Sequence, residues 1–164
     1  MKCFYQWLKE VADANELCDW GREQALSAKS RKALADMALH AKAAGYLCRM
    51  ERLGHKLPYD TILRDISSYI NGRYTATFQA SNGAEYTSEM YCDFKGEIRT
   101  DATLLTLLGF KGVVYVEENS VVTIYSDAGC DFEVVAPDSS MVACEYWGKK
   151  PRTEEDSGIV FVKK

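Results

Sequence analysis

The sequence contains no run approaching the roughly 18 consecutive apolar residues that a membrane-spanning helix requires. Its first ten residues, MKCFYQWLKE, reach charge before an apolar signal core can form. Neither export nor a membrane partner is therefore expected, and the cytoplasm is the expected location. Prolines number only 3, and no low-complexity tract or composition shift marks a linker, which sets the chain apart from disordered and collagen-like sequences. The 6 cysteines, Cys3, Cys18, Cys48, Cys92, Cys130 and Cys144, are scattered and form no Cys-x-x-Cys pair. They read as reduced thiols within apolar patterns rather than as a disulfide framework.

Histidine is just as scarce, with only His40 and His55. No His-Glu-x-x-His and no paired Cys/His spacing surrounds either of them, so no metal is expected. A Gly-x-Ser-x-Gly elbow is missing, as are a Gly-rich loop ending in Lys-Ser/Thr and a Gly-x-Gly-x-x-Gly fingerprint. Hydrolase and nucleotide chemistry thus lack their usual foothold, and neither catalytic residues nor a cofactor are expected.

What remains has the composition of an ordinary globular protein: 164 residues, 47% hydrophobic and 27% charged. This length suits one domain with one core. The net charge of −4 is uneven, with 11 Lys/Arg against 9 Asp/Glu in residues 1–71 and 9 against 15 in residues 72–164. A mildly acidic surface disfavours direct nucleic-acid binding, which depends on clustered Lys and Arg.

Helical patterning dominates the first part. Phe4, Trp7, Leu8, Val11, Ala14, Leu17 and Cys18 follow a 3–4 spacing, and Leu26, Ala33, Leu34, Met37, Ala38, Ala41, Ala44 and Cys48 form an alanine-rich stripe between Arg22 and Leu53. A third helix is expected from Asp60 or Thr61, on Ile62, Leu63, Ile66, Tyr69 and Ile70, stopped by Asn71-Gly72. From Arg73 the period becomes two. Tyr74, Ala76 and Phe78 alternate with polar residues, Asn82-Gly83 is a hairpin signal, and a return strand runs from Glu85 to Phe94. Asp101 caps an expected short helix from Ala102 to Leu108. A meander of strands follows over Gly112–Glu117, Ser120–Tyr125, Asp131–Val135, Met141–Trp147 and Ile159–Val162. No internal repeat is apparent. The expected fold is a single α+β domain, with about three helices in 1–71 followed in 72–164 by a mainly antiparallel sheet with one short inserted helix.

Function is less legible. A Cys48–His55 dyad, or the carboxylates Glu16, Asp19, Glu23 and Glu117-Glu118, would serve a small hydrolase or transferase with a cleft between helices and sheet. Solvated acids and an apolar thiol are the ordinary reading. The basic residues Lys29, Arg31, Lys32, Lys42, Arg49, Arg52, Lys56 and Arg64 raise a DNA-binding alternative, but the third helix presents a poor set for reading bases. The leading expectation is a non-catalytic protein-binding protein, an inhibitor or adaptor of the kind that phages and mobile elements direct at host machinery. It would act through an acidic, aromatic-bearing surface of Glu117, Glu118, Asp127, Asp131, Tyr115 and Tyr125, and a basic nucleic-acid-handling complex would be a fitting partner.

Overall fold

The computed structural model describes residues 18–52, 66–154 and 158–164. Residues 4–17 of the first expected helix, the start of the third helix, Arg64 and His55 lie outside them, and Cys18 caps the helix that begins at Asp19 rather than ending one. Three short helices open the described chain: α1 (Asp19–Ser27), α2 (Arg31–Leu39) and α3 (Tyr46–Arg52). Ser30 caps α2 by accepting a 3.1 Å hydrogen bond from the Ala33 N–H, and Lys32 pairs with Asp36 one turn on. Residues 66–70, expected to be the end of a helix, form turns and an isolated bridge instead.

Nine strands follow: β1 (Arg73–Gln79), β2 (Glu85–Cys92), β3 (Lys95–Thr100), β4 (Leu104–Leu108), β5 (Lys111–Val116), β6 (Val121–Ser126), β7 (Asp131–Val135), β8 (Met141–Tyr146) and β9 (Ile159–Lys163). They make two sheets, ordered β1-β2-β4-β6-β8-β9 and β3-β5-β7. Only β1 and β2 pair antiparallel, through the expected Asn82-Gly83 hairpin, with Gly83 at φ +83°. Every other ladder between named strands is parallel. The α+β, mainly antiparallel expectation is therefore overturned. The architecture is a mostly parallel β-solenoid with helices on one face, and its coils stack strands sixteen to twenty residues apart in the chain. The repeat escapes the sequence because its length changes from coil to coil.

The turns between strands are real, but they act as corners rather than hairpins. At Glu118-Asn119 and at Asp127 to Gly129 the chain passes from one sheet to the other, so each strand meets its neighbour one full coil later. The expected helix from Ala102 to Leu108 is strand β4, with all five of its residues buried. Leu-Leu-Thr-Leu-Leu is a short apolar run covered on both faces, and periodicity cannot separate such a strand from a buried helix.

Inside the solenoid, residues in register stack into columns. Leu105, Ile124, Cys144 and Phe161 form one column, and Ile98, Val114 and Val134 face it from the smaller sheet. Phe110, between β4 and β5, meets Phe132 of β7 edge to face, with ring centres 5.9 Å apart. Outside the larger sheet, Ala35, Ala38, Leu39, Leu47 and Cys48 pack on Met90, Cys92 and Leu108 in a second core that helices and sheet share. The Tyr74 hydroxyl bonds the Asp36 carboxylate and ties β1 to α2. Burial, followed by that carboxylate, raises the phenol's pKa.

Candidate binding surface

The described helices cover only part of the larger sheet. Because Val122, Ile124, Val142 and Cys144 point inward, the alternate positions of β6 and β8 point out, and register adds Val160 and Val162 of β9 to the same face. Four of the six exposed large hydrophobic residues in the described chain lie here: Val121 at 62%, Met141 at 67%, Val160 at 62% and Val162 at 38% exposure. Thr123 and Ala143, half-buried, continue the surface between them.

This face runs into a groove of about 580 Å³ between the start of α3 and the ends of β8 and β9, walled by Tyr46, Arg49, Glu145, Trp147 and Lys164. Gly45 shapes it. At φ +80°, a Cβ there would lie 2.9 Å from the Tyr125 ring and 3.1 Å from Trp147, so only glycine lets the loop descend onto these aromatics. Lys164 pairs with Glu145 at 3.1 Å, and the Arg49 guanidinium lies 6.0 Å from the centre of the Tyr46 ring. Burial, with help from the Glu145 charge, pushes the Tyr125 phenol up. Two cations, one carboxylate and two aromatic rings offer stacking, cation–π and ion-pair contacts. Among the described residues, no three His, Cys, Asp or Glu side chains gather into a metal-binding group.

The structure distributes the sequence's site candidates over separate surfaces. Glu117 and Glu118 are exposed in the β5–β6 turn. Tyr115 lies outside the smaller sheet, with the Arg99 guanidinium 4.7 Å from its ring centre. Asp131, on the same sheet, bonds Lys149 at 3.2 Å and Arg152 at 2.7 Å, and these cations hold its carboxyl below the usual range. Tyr125 belongs to the other sheet. Asp127 is 1% exposed and works inside a corner: it accepts the Gly109 N–H at 3.0 and 3.1 Å, the Gly129 N–H at 3.0 Å and the Cys130 thiol at 3.1 Å. Of the basic residues, Lys29, Arg31 and Lys32 are exposed around the start of α2, and Arg49 lines the groove. The Arg52 side chain and Arg64 lie outside the described residues.

Of the residues named for catalysis, Glu16 and His55 lie outside the described residues, and Asp19, Glu23 and Glu117-Glu118 are on separate elements from Cys48. Cys48 is fully buried, and burial followed by the Asp127 charge drives its thiol well above the ordinary range. Burial likewise raises Cys130 and pushes Cys144 up to about 12. Cys18, Cys48, Cys130 and Cys144 are free thiols, and Cys18 is exposed. At pH 8, a thiol reagent is expected to label Cys18 rapidly and to leave Cys48, Cys130 and Cys144 unlabelled until denaturant is added, a pattern that peptide mapping will read. Rapid native labelling of Cys48 would contradict this packing. His40 is a packing residue, with its ring centre 4.7 Å from Trp20 and 5.3 Å from Phe78. Its Nδ1 accepts the Lys42 N–H at 3.2 Å, and burial followed by the Lys42 charge lowers its pKa.

Sequence reasoning missed Val121, Met141, Glu145, Val160, Val162 and Lys164. Their shared face exists only through the parallel register, although Val160 and Val162 alternate visibly in the sequence. No helix of the described residues is long and apolar enough to cross a membrane. Comparison with known protein families, with curated proteins and with solved structures finds no match to this chain.

Proposed function

We propose that the protein is a non-catalytic binding protein, an inhibitor or adaptor that holds a partner protein against the outer face of β6, β8 and β9 and in the adjoining groove. One observation carries this reading: most of the exposed large apolar side chains among the described residues gather on one sheet face. Contiguous apolar surface of this kind is a common mark of protein interfaces, and covering each such side chain contributes about 1 kcal/mol or more. Trp147 and Tyr46 are the residue types that anchor interfaces, while Arg49, Glu145 and Lys164 form a charged rim that favours one register over others. The chain's net charge of −4 favours a basic partner, such as a component of a nucleic-acid-handling complex. Free thiols at Cys18, Cys48, Cys130 and Cys144 suit a reducing, cytoplasmic setting.

The test compares the tagged wild type with a double variant, Val121→Lys with Met141→Asp. These two positions are in register, so the new charges can pair, and both are exposed, so the fold is expected to survive. Lysate capture with mass spectrometry is expected to show a partner retained by the wild type and reduced about tenfold by the variant, with an unchanged melting temperature. Equal retention of every partner by both proteins would remove the face from the interface.

A further inference from the structure

Strand β9 (Ile159–Lys163) lies at the end of the six-stranded sheet, with β8 as its one neighbour among the described residues. The Val142 N–H donates to the Gly158 carbonyl and the Lys164 N–H to the Tyr146 carbonyl, each at 3.0 Å. Alternate residues of a parallel strand serve the same neighbour, so Val160 and Val162 also bond toward β8. Ile159, Phe161 and Lys163 therefore turn their N–H and C=O groups to the open edge. Natural sheet edges are usually blunted by proline, by a bulge or by charges pointing inward. β9 has no proline, its register with β8 runs unbroken over all five residues, and its first four are Ile-Val-Phe-Val. Such β-branched and aromatic residues make the most favourable cross-strand pairs.

We propose that a second copy of this chain pairs along this edge, antiparallel about Phe161, joining the two larger sheets into one. In this register Val160 lies opposite Val162 of the partner subunit, and Phe161 lies opposite its own counterpart. The polarity of charge along the strand selects the direction. The segment leading into β9 carries the exposed Glu154, and the strand leaves through the exposed Lys163 and Lys164. An antiparallel copy turns Lys163 and Lys164 of each subunit toward the Glu154 end of the other, twice over, whereas a parallel copy aligns like with like. A two-fold arrangement also closes on itself, because it uses the β9 edge of both subunits and leaves β1 as the other edge of each larger sheet. One short strand is a small interface, so a concentration-dependent equilibrium is expected rather than a permanent dimer. This contact uses the backbone of the edge and does not depend on the outer-face reading.

Sedimentation equilibrium of the full chain, from micromolar to millimolar concentration, is expected to show monomer and dimer only. Lys163→Pro removes one edge-facing N–H while leaving every β8–β9 hydrogen bond in place. It is expected to weaken dimerisation about tenfold without shifting the melting temperature. Glu154→Lys and Lys163→Glu are each expected to weaken the dimer several-fold, and their combination to restore it. A chain that stays monomeric throughout, association that grows past the dimer, or a dimer indifferent to both Lys163→Pro and the charge exchanges would overturn the proposal. In each of those cases the Val121→Lys with Met141→Asp comparison still decides the outer-face reading separately.

Discussion

Gly112→Ala is expected to cost more than about 3 kcal/mol and to leave much of the chain unfolded, since domains of this kind are stable by only about 5–15 kcal/mol. Gly112, the second residue of β5, lies beside Gly96 of β3 at φ +150°, where an L side chain is already strained by about 1–3 kcal/mol. A Cβ there would fall 1.8 Å from the Gly96 carbonyl oxygen. That atom belongs to the neighbouring strand's backbone and cannot swing away, so the two coils must separate. Gly83→Ala is the control, because Gly83 has φ +83° with nothing within 4 Å of the new Cβ. Only the strain, about 1 kcal/mol, is expected there. Urea denaturation followed by circular dichroism measures both variants, and equal costs would mean that the coils at Gly96 and Gly112 are not so closely packed.

The second large effect is expected at the first coil. Glu89 points into the solenoid and is 3% exposed. It bonds Arg73 of β1 and accepts the Thr100 hydroxyl at 3.2 Å. Arg73 is about half exposed and also lies over the Tyr91 ring, 6.0 Å from its centre. Removing Arg73 leaves a buried carboxylate with one neutral donor, and breaking a buried pair in this way costs about 3 kcal/mol; the exposure of Arg73 pulls the expected figure toward about 2. Replacing both partners removes the charge together with its counterion. Arg73→Leu alone is therefore expected to be less stable than Arg73→Leu with Glu89→Leu, a non-additivity that a double-mutant cycle measures. If the double variant proved the less stable of the two, the pair would contribute net stability rather than avert a penalty.

Much of the local structure was legible from residue types. Asn82-Gly83 marked the hairpin through its need for a positive φ, and period-two runs located β5 to β9 to within a residue or two. β3 was missed because Lys-Gly-Glu-Ile-Arg-Thr has a single inward apolar residue, Ile98, and reads as polar. β4 was mistaken for a helix because burial on both faces erases alternation. The site was less legible still. Asp127 was taken as a surface acid, yet the corner at Gly109 and Gly129 supplies the N–H donors that make its burial tolerable. No neighbour in sequence announces Gly109, which comes from the preceding coil.

The sequence by itself determined where the chain extends, where it turns, and that most of its cysteines sit in apolar surroundings, because propensity and alternation act over a few residues. The tertiary structure decided that the turns are corners between two sheets, that the strands run parallel, and that Val121, Met141, Val160 and Val162 share one open face beside the groove. Those outcomes depend on pairing across sixteen to twenty residues at unequal spacing. An alternating pattern specifies which side chains share a strand face but not the direction or the identity of the neighbouring strand.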